Sequence, residues 1–86
     1  MPLQSKKEQK QMKAIRLKHG VVFVKIDNST FKVLPDGTCE ISSITYDSLE
    51  WDLKTEHPST WEYLTQGEIY SLPNDAYQKM LKLLKK

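Results

Sequence analysis

The sequence predicts a small α+β protein in which an antiparallel sheet of about four strands is covered by a C-terminal amphipathic helix. The chain has 86 residues, which is the size of a single domain. Short segments rich in β-branched residues alternate with turn-forming residues, and an apolar stripe at helical spacing lies near the C-terminus. We expect one α+β domain over residues 20–86, preceded by a basic segment over residues 1–19 that is helical or disordered.

Three strands with short connections are predicted to form an antiparallel meander. Residues 21–26 give the strongest strand signal, because four of the six are β-branched. An Asp-Asn-Ser cluster leads to a second strand at residues 30–34, and the Pro-Asp-Gly-Thr turn at residues 35–38 leads to a third at residues 39–45. Such short connections favour pairing between consecutive strands.

A fourth strand is predicted at residues 49–54, where apolar and charged residues alternate. A period of two places one face of a strand against the core and the other in water. Trp51 would then lie on the buried face, and Glu50 and Asp52 on the solvent face.

Residues 59–67 fit two structures. The spacing of Ser59 and Glu62 matches a capping box and slightly favours a short helix over residues 60–66. The alternative is a strand at residues 60–64 that pairs with residues 68–72.

The C-terminal helix is predicted over residues 73–85. Pro73 suits the first turn of a helix, and Asn74 and Asp75 place polar groups near its positive end. The apolar stripe would cover the sheet and leave the lysines in solvent. The stripe consists of Ala76, Tyr77, Met80, Leu81, Leu83 and Leu84. At the other end of the chain, residues 6–18 are mostly good helix formers with few apolar side chains, which predicts a frayed basic helix.

The charge is segregated along the chain. The formal net charge is +5 for residues 1–19, −7 for residues 20–75 and +4 for residues 76–86. Clustered cations bind nucleic acid through counterion release, and the scarcity of arginine indicates contacts without base readout. The nucleic-acid candidates are Lys6, Lys7, Lys10, Lys13, Arg16, Lys18, Lys79, Lys82, Lys85 and Lys86.

The sequence carries no recognisable catalytic, cofactor or metal motif. His19 and His57 lie far apart, and Cys39 is the only cysteine, so neither metal-ligand spacing nor a disulfide is available. The chain shows no apolar run long enough for a membrane span or a signal core. We therefore expect a non-enzymatic, soluble, cytoplasmic protein that needs no cofactor and no membrane.

The acidic middle of the chain also contains most of the aromatic residues. Trp and Tyr are common anchors of protein interfaces, whereas local acidity opposes the stacking of nucleic-acid bases. The predicted protein-interface residues are Glu50, Asp52, Trp61, Tyr63 and Tyr70.

Three hypotheses for function follow from this distribution. The leading one is an interaction protein that binds and regulates or inhibits a larger protein, and its small size and lysine content suggest a bacteriophage or mobile-element origin. The alternative is a small non-specific nucleic-acid-binding protein that uses its lysine-rich termini. A third is self-association, in which the basic ends of one copy meet the acidic middle of another.

Overall fold

A five-stranded antiparallel sheet forms the centre of the computed structural model, which describes residues 12–56 and 59–85. The strands lie in the order β4-β3-β2-β1-β5, and three α-helices cover the two faces. The predicted α+β class is therefore confirmed. The elements are β1 (Met12–Leu17), β2 (Val22–Ile26), β3 (Ser29–Val33), β4 (Cys39–Ile41), α1 (Tyr46–Glu56), β5 (Trp61–Tyr63), α2 (Gln66–Tyr70), a 3₁₀ turn (Pro73–Asp75) and α3 (Ala76–Leu84).

The predicted meander is present as β2, β3 and β4, with the expected turn chemistry between β3 and β4. In that turn the Thr38 amide donates to Asp36 Oδ1 at 2.9 Å, and Gly37 adopts a φ of +94°. The third strand is shorter than predicted and ends at Ile41, because the Ser42 hydroxyl accepts a hydrogen bond from the Ile44 amide and turns the chain towards α1.

The predicted N-terminal helix is wrong for the part that the structure describes. Met12–Leu17 is a strand that pairs with β2 on one side and with β5 on the other. Although several of these residues are good helix formers, pairing on both edges stabilises a strand here, and the strand buries Ala14 and Ile15 on opposite faces of the sheet. Residues 1–11, which carry the rest of that prediction, lie outside the described residues.

The predicted strand at residues 49–54 is also wrong, because these residues belong to α1. The apolar residues Tyr46, Leu49 and Leu53 recur at helical spacing and face the sheet together. Thr45 precedes the helix, and its hydroxyl accepts a hydrogen bond from the Ser48 amide at 3.2 Å. The alternation that predicted a strand covers only one segment of this longer helical pattern.

Residues 59–67 contain neither of the two predicted arrangements in full. Trp61–Tyr63 is a strand, as the alternative had it, but it pairs with β1 rather than with residues 68–72. The short helix lies later in the chain, at Gln66–Tyr70, where Thr65 and Glu68 form the capping box.

The helices divide the core into two layers. On one face α2 lies against β1, and α3 crosses β3 and β4; we call this the α3 face. Its core contains Met12, Ala14, Val22, Val24, Ile26, Phe31, Val33, Leu64, Ile69, Ala76 and Met80. On the other face, the α1 face, a smaller core consists of Ile15, Tyr46 and Leu53. No helix of the described residues has the length and apolar character needed to cross a bilayer.

Candidate functional site

An aromatic pair on β5 adjoins α1. The rings of Trp61 and Tyr63 lie edge to face, with centroids 4.9 Å apart, because alternate residues of a strand point to the same face. The Tyr63 hydroxyl donates to Glu50 Oε2 of α1 at 2.6 Å, and this hydrogen bond raises the pKa of Tyr63. This hydrogen bond connects the aromatic pair on β5 to α1.

Glu50 is the polar centre of this contact. Its carboxylate accepts the hydrogen bond from the Tyr63 hydroxyl, and it also lies 4.0 Å from Nζ of Lys54, one helical turn further on. Only 22% of its side chain is exposed, so the lysine compensates a carboxylate that has lost much of its water. Glu50 therefore has partners within the protein.

Trp51 is the most exposed large apolar side chain of the described residues, at 66%. Trp51 directly follows Glu50 and lies on the side of α1 that faces away from the sheet. Its backbone carbonyl accepts a hydrogen bond from the Thr55 hydroxyl at 2.7 Å, but its ring takes no part in either core layer. The prediction that Trp51 lies on the buried face of a strand is wrong, because residues 49–54 belong to a helix.

The carboxylates around Trp51 differ in their pairing. Asp47 lies 3.3 Å from Nζ of Lys25 on β2. Asp52 and Glu56 are exposed and form no ion pair with any residue that the structure describes. The outer side of α1 thus combines an exposed indole with free negative charge. We call Glu50, Trp51, Asp52, Trp61 and Tyr63 the α1–β5 surface.

The predicted interface residues are therefore only partly brought together. Glu50, Trp61 and Tyr63 are in direct contact, and Asp52 lies on the outer side of the same helix. Tyr70 lies in α2, beyond the opposite face of the sheet, where its ring packs edge to face on Tyr77 at 4.9 Å.

The predicted nucleic-acid residues are spread over the molecule. Lys13 lies on the α1 face, Lys18 follows β1, and Arg16 donates from Nε to Glu62 Oε2 at 2.8 Å. The lysines of the C-terminus are exposed along and just after α3, beyond the other face of the sheet; the described ones are Lys79, Lys82 and Lys85. Lys6, Lys7, Lys10 and Lys86 lie outside the described residues.

An open groove of about 470 Å³ adjoins the end of β5. It is lined by Arg16, Leu17, Lys18, Gly20, Ser59, Thr60, Trp61 and Glu62. The Arg16–Glu62 ion pair forms part of its wall and already neutralises the one guanidinium there. The indole N–H of Trp61 is buried without a protein acceptor among the described residues.

The described residues contain no group of three His, Cys, Asp or Glu side chains that could hold a metal ion. Cys39 is half-buried, with Sγ 3.4 Å from the Ala76 carbonyl oxygen and 3.5 Å from that of Gly37. Burial raises the pKa of this thiol, which lowers its reactivity as a nucleophile. His57 lies outside the described residues.

Comparisons with protein-family models, with curated proteins and with solved structures find no significant match to this chain.

Proposed function

We propose that this chain is a non-enzymatic interaction protein that binds a larger protein through the α1–β5 surface and thereby regulates or inhibits it. The observation that carries the proposal is Trp51, whose ring is two-thirds exposed on an acidic helix. Exposed aromatic residues with a polar rim are typical of protein-binding sites. Burying about 150 Å² of indole at about 25 cal/mol per Å² is worth about 4 kcal/mol before ordering costs.

The charge around Trp51 indicates the chemistry of the partner. Asp52 and Glu56 are free of ion pairs within the described part of the chain, and their burial by an apolar or acidic partner would be costly. A lysine or arginine of the partner pairs with them and also stacks on the indole face. The proposed partner therefore presents a cationic segment.

The rest of the surface supports this role. Glu50, Tyr63 and Trp61 are fixed by their mutual contacts before any partner arrives, so little side-chain entropy is lost on binding. Tyr63 remains half exposed and offers a second aromatic contact beside the helix.

Site-directed crosslinking tests the proposal. A photoreactive phenylalanine analogue replaces Trp51 in one protein and Asn28, an exposed residue of the turn between β2 and β3, in a control protein. In a lysate of the cells that express the chain, position 51 should give a discrete adduct with a larger protein, distinct from a second copy of the chain, whose crosslinked peptide is rich in Lys or Arg. Trp51→Ala should lose the partner in a parallel pull-down, and Tyr70→Ala should retain it. Equal adducts at both positions, or equal loss by both alanine variants, would contradict the proposal.

A second candidate function is non-specific nucleic-acid binding through α3. The observation that favours it is the exposure of Lys79, Lys82 and Lys85, none of which forms an ion pair within the described residues. Titration of labelled single-stranded DNA, duplex DNA and RNA, read by anisotropy at about 50 and 200 mM salt, tests it. Binding that weakens steeply with salt and is lost in Lys82→Glu/Lys85→Glu would support this function, whereas no binding at the lower salt would remove it.

A further inference from the structure

The outer sides of α1 and α3 carry opposite charge. Residues 46–56 contain four acids and one lysine, whereas residues 76–85 contain three lysines and no acid. The free charges are spaced about one turn apart, as Asp52 and Glu56 on α1 and as Lys82 on α3 and Lys85 just after it. The two sets therefore carry opposite charge, and in each the neighbouring charges lie about one helical turn apart.

An apolar side chain accompanies each set of charges. Trp51 precedes Asp52 on the exposed side of α1, and Leu81, which is half-buried, precedes Lys82 in α3. Since consecutive residues lie about 100° apart around a helix, the acidic row lies about 100–140° around α1 from Trp51, and the basic row about 40–100° around α3 from Leu81. The two helix surfaces are complementary in charge, and each has an apolar residue beside its charged row.

The two surfaces cannot meet within one copy, because the sheet separates them. α1 packs on Ile15 on one face, and α3 packs on the core of Phe31 and Val33 on the other. The contact that pairs them must therefore join two different copies.

We infer that copies of this chain associate head to tail, with the outer side of α1 of one copy against the outer side of α3 of the next. Asp52 and Glu56 pair with Lys82 and Lys85, and Trp51 packs against Leu81 and the lysine stems. The contact is heterologous, so each copy keeps one free α1 and one free α3 surface, and assembly grows with concentration.

This contact also regulates the α1–β5 surface, and in that respect the inference rests on the proposed function. A copy whose Trp51 is covered by the α3 of its neighbour is closed to a cationic partner. Partner binding and self-association then compete for the same side chains, so that the concentration of the chain sets the number of open sites.

Sedimentation velocity of the purified chain, free of nucleic acid by its absorbance ratio, tests the inference. The runs span micromolar to millimolar protein at about 50 and 500 mM salt, because ion pairs at an exposed contact are screened at high salt. The wild-type mass should rise with concentration at low salt and return to that of one copy at high salt. Trp51→Ala should weaken the association about tenfold or more.

Two charge reversals make the test specific. Asp52→Lys/Glu56→Lys and Lys82→Glu/Lys85→Glu should each remain monomeric, because like charges then face one another. An equimolar mixture of the two variants should associate again, since an all-basic copy meets an all-acidic copy. Lys18→Glu, an exposed charge at the end of β1, is the control and should associate like the wild type. Circular dichroism verifies that each variant is folded.

A wild-type chain that stays monomeric at low salt and millimolar concentration would overturn the inference, as would a mixture of reversed variants that fails to associate. Since no partner is present in these experiments, either result leaves the crosslinking test of the proposed function unaffected.

Discussion

Among the described glycines, Gly37 makes the closest approach to the backbone of another segment. It adopts a φ of +94° in the β3–β4 turn, and a Cβ at this position would overlap the carbonyl oxygen of Pro73. The Asn74 side chain stabilises the same contact by donating a hydrogen bond to the Asp36 carbonyl. Gly37 therefore allows the turn of the sheet to dock on the segment that leads into α3.

Gly37→Ala should lower the free energy of unfolding by about 2–4 kcal/mol, because both the left-handed backbone and the overlap oppose the methyl group. Urea denaturation measures the loss. Gly67→Ala is the matched control: Gly67 lies in α2 with space around its Cα, so this change should leave stability equal or raise it by up to about 1 kcal/mol. Equal losses in the two variants would show that neither the left-handed backbone nor the overlap with Pro73 sets the cost at Gly37.

Tyr46 is almost fully buried under α1, and its hydroxyl has no hydrogen-bond partner among the described residues. Tyr46→Phe should therefore leave the free energy of unfolding unchanged or raise it by about 1 kcal/mol.

The Tyr46 amide, in contrast, donates to Thr30 Oγ1 at 2.9 Å. Thr30→Val keeps the shape of that side chain and should cost about 1–3 kcal/mol, because the amide loses its acceptor. Thermal unfolding of both variants measures the two effects. If Tyr46→Phe lowered the stability as much as Thr30→Val does, the Tyr46 hydroxyl would have a hydrogen-bond partner, contrary to the structure.

At the scale of elements, local sequence signals predicted some segments well and others poorly. Residues 21–26 and 30–34 and the C-terminal helix were predicted because β-branched runs, a defined turn and a helical apolar stripe agree with the tertiary environment. The helix predicted over residues 73–85 is shorter, at Ala76–Leu84, because Asn74 and Asp75 adopt left-handed backbone angles. Residues 12–17 were not predicted, because their helix formers outweighed the turn at Gly20 that joins them to β2, and because β5, the strand on their other side, lies 46 residues away in sequence for Arg16 and Glu62. No local pattern indicates pairing with β5.

The same limit applies to the candidate site. Glu50, Trp61 and Tyr63 were predicted as interface residues from residue type and local charge, and the structure brings them together. The exposure of Trp51 was missed, because it depends on residues 49–54 being a helix rather than a strand. The helical recurrence of Tyr46, Leu49 and Leu53 was the signal that would have shown it.

The capping box of α2 gives a prediction for a single element. The Thr65 hydroxyl accepts from the Glu68 amide at 3.2 Å, and the Glu68 carboxylate accepts from the Thr65 amide at 2.8 Å, which lowers the pKa of Glu68. Thr65→Ala should cost about 1 kcal/mol in urea denaturation. Ser71→Ala, at the exposed other end of the helix, should stay within about 0.5 kcal/mol of the wild type; a similar cost there would argue against a cap-specific effect.

At the scale of the whole molecule, two tyrosines link stability to alkaline pH. Burial raises the pKa of Tyr46, and the bond to Glu50 raises that of Tyr63. A raised pKa in the folded state contributes stability below the unfolded pKa of about 10, and this contribution is lost as the pH rises through the folded value. The free energy of unfolding should therefore fall above about pH 10.

Tyr63→Phe should make that decline shallower, because one of the two linked groups is gone. Urea denaturation across the alkaline range measures the slope, and Tyr70→Phe serves as the control on the opposite face. An unchanged slope in Tyr63→Phe would show that the Glu50 bond does not contribute.

In the described part of the molecule an acidic helix and a basic helix lie on opposite faces of one sheet, so negative charge predominates on one of these helices and positive charge on the other. A net charge of +2 says little about how such a molecule meets a charged surface, because it presents whichever face is attracted. At neutral pH and low salt, the same preparation should be retained by both anion-exchange and cation-exchange resins. It would bind them in opposite orientations, with α1 against the first and α3 against the second.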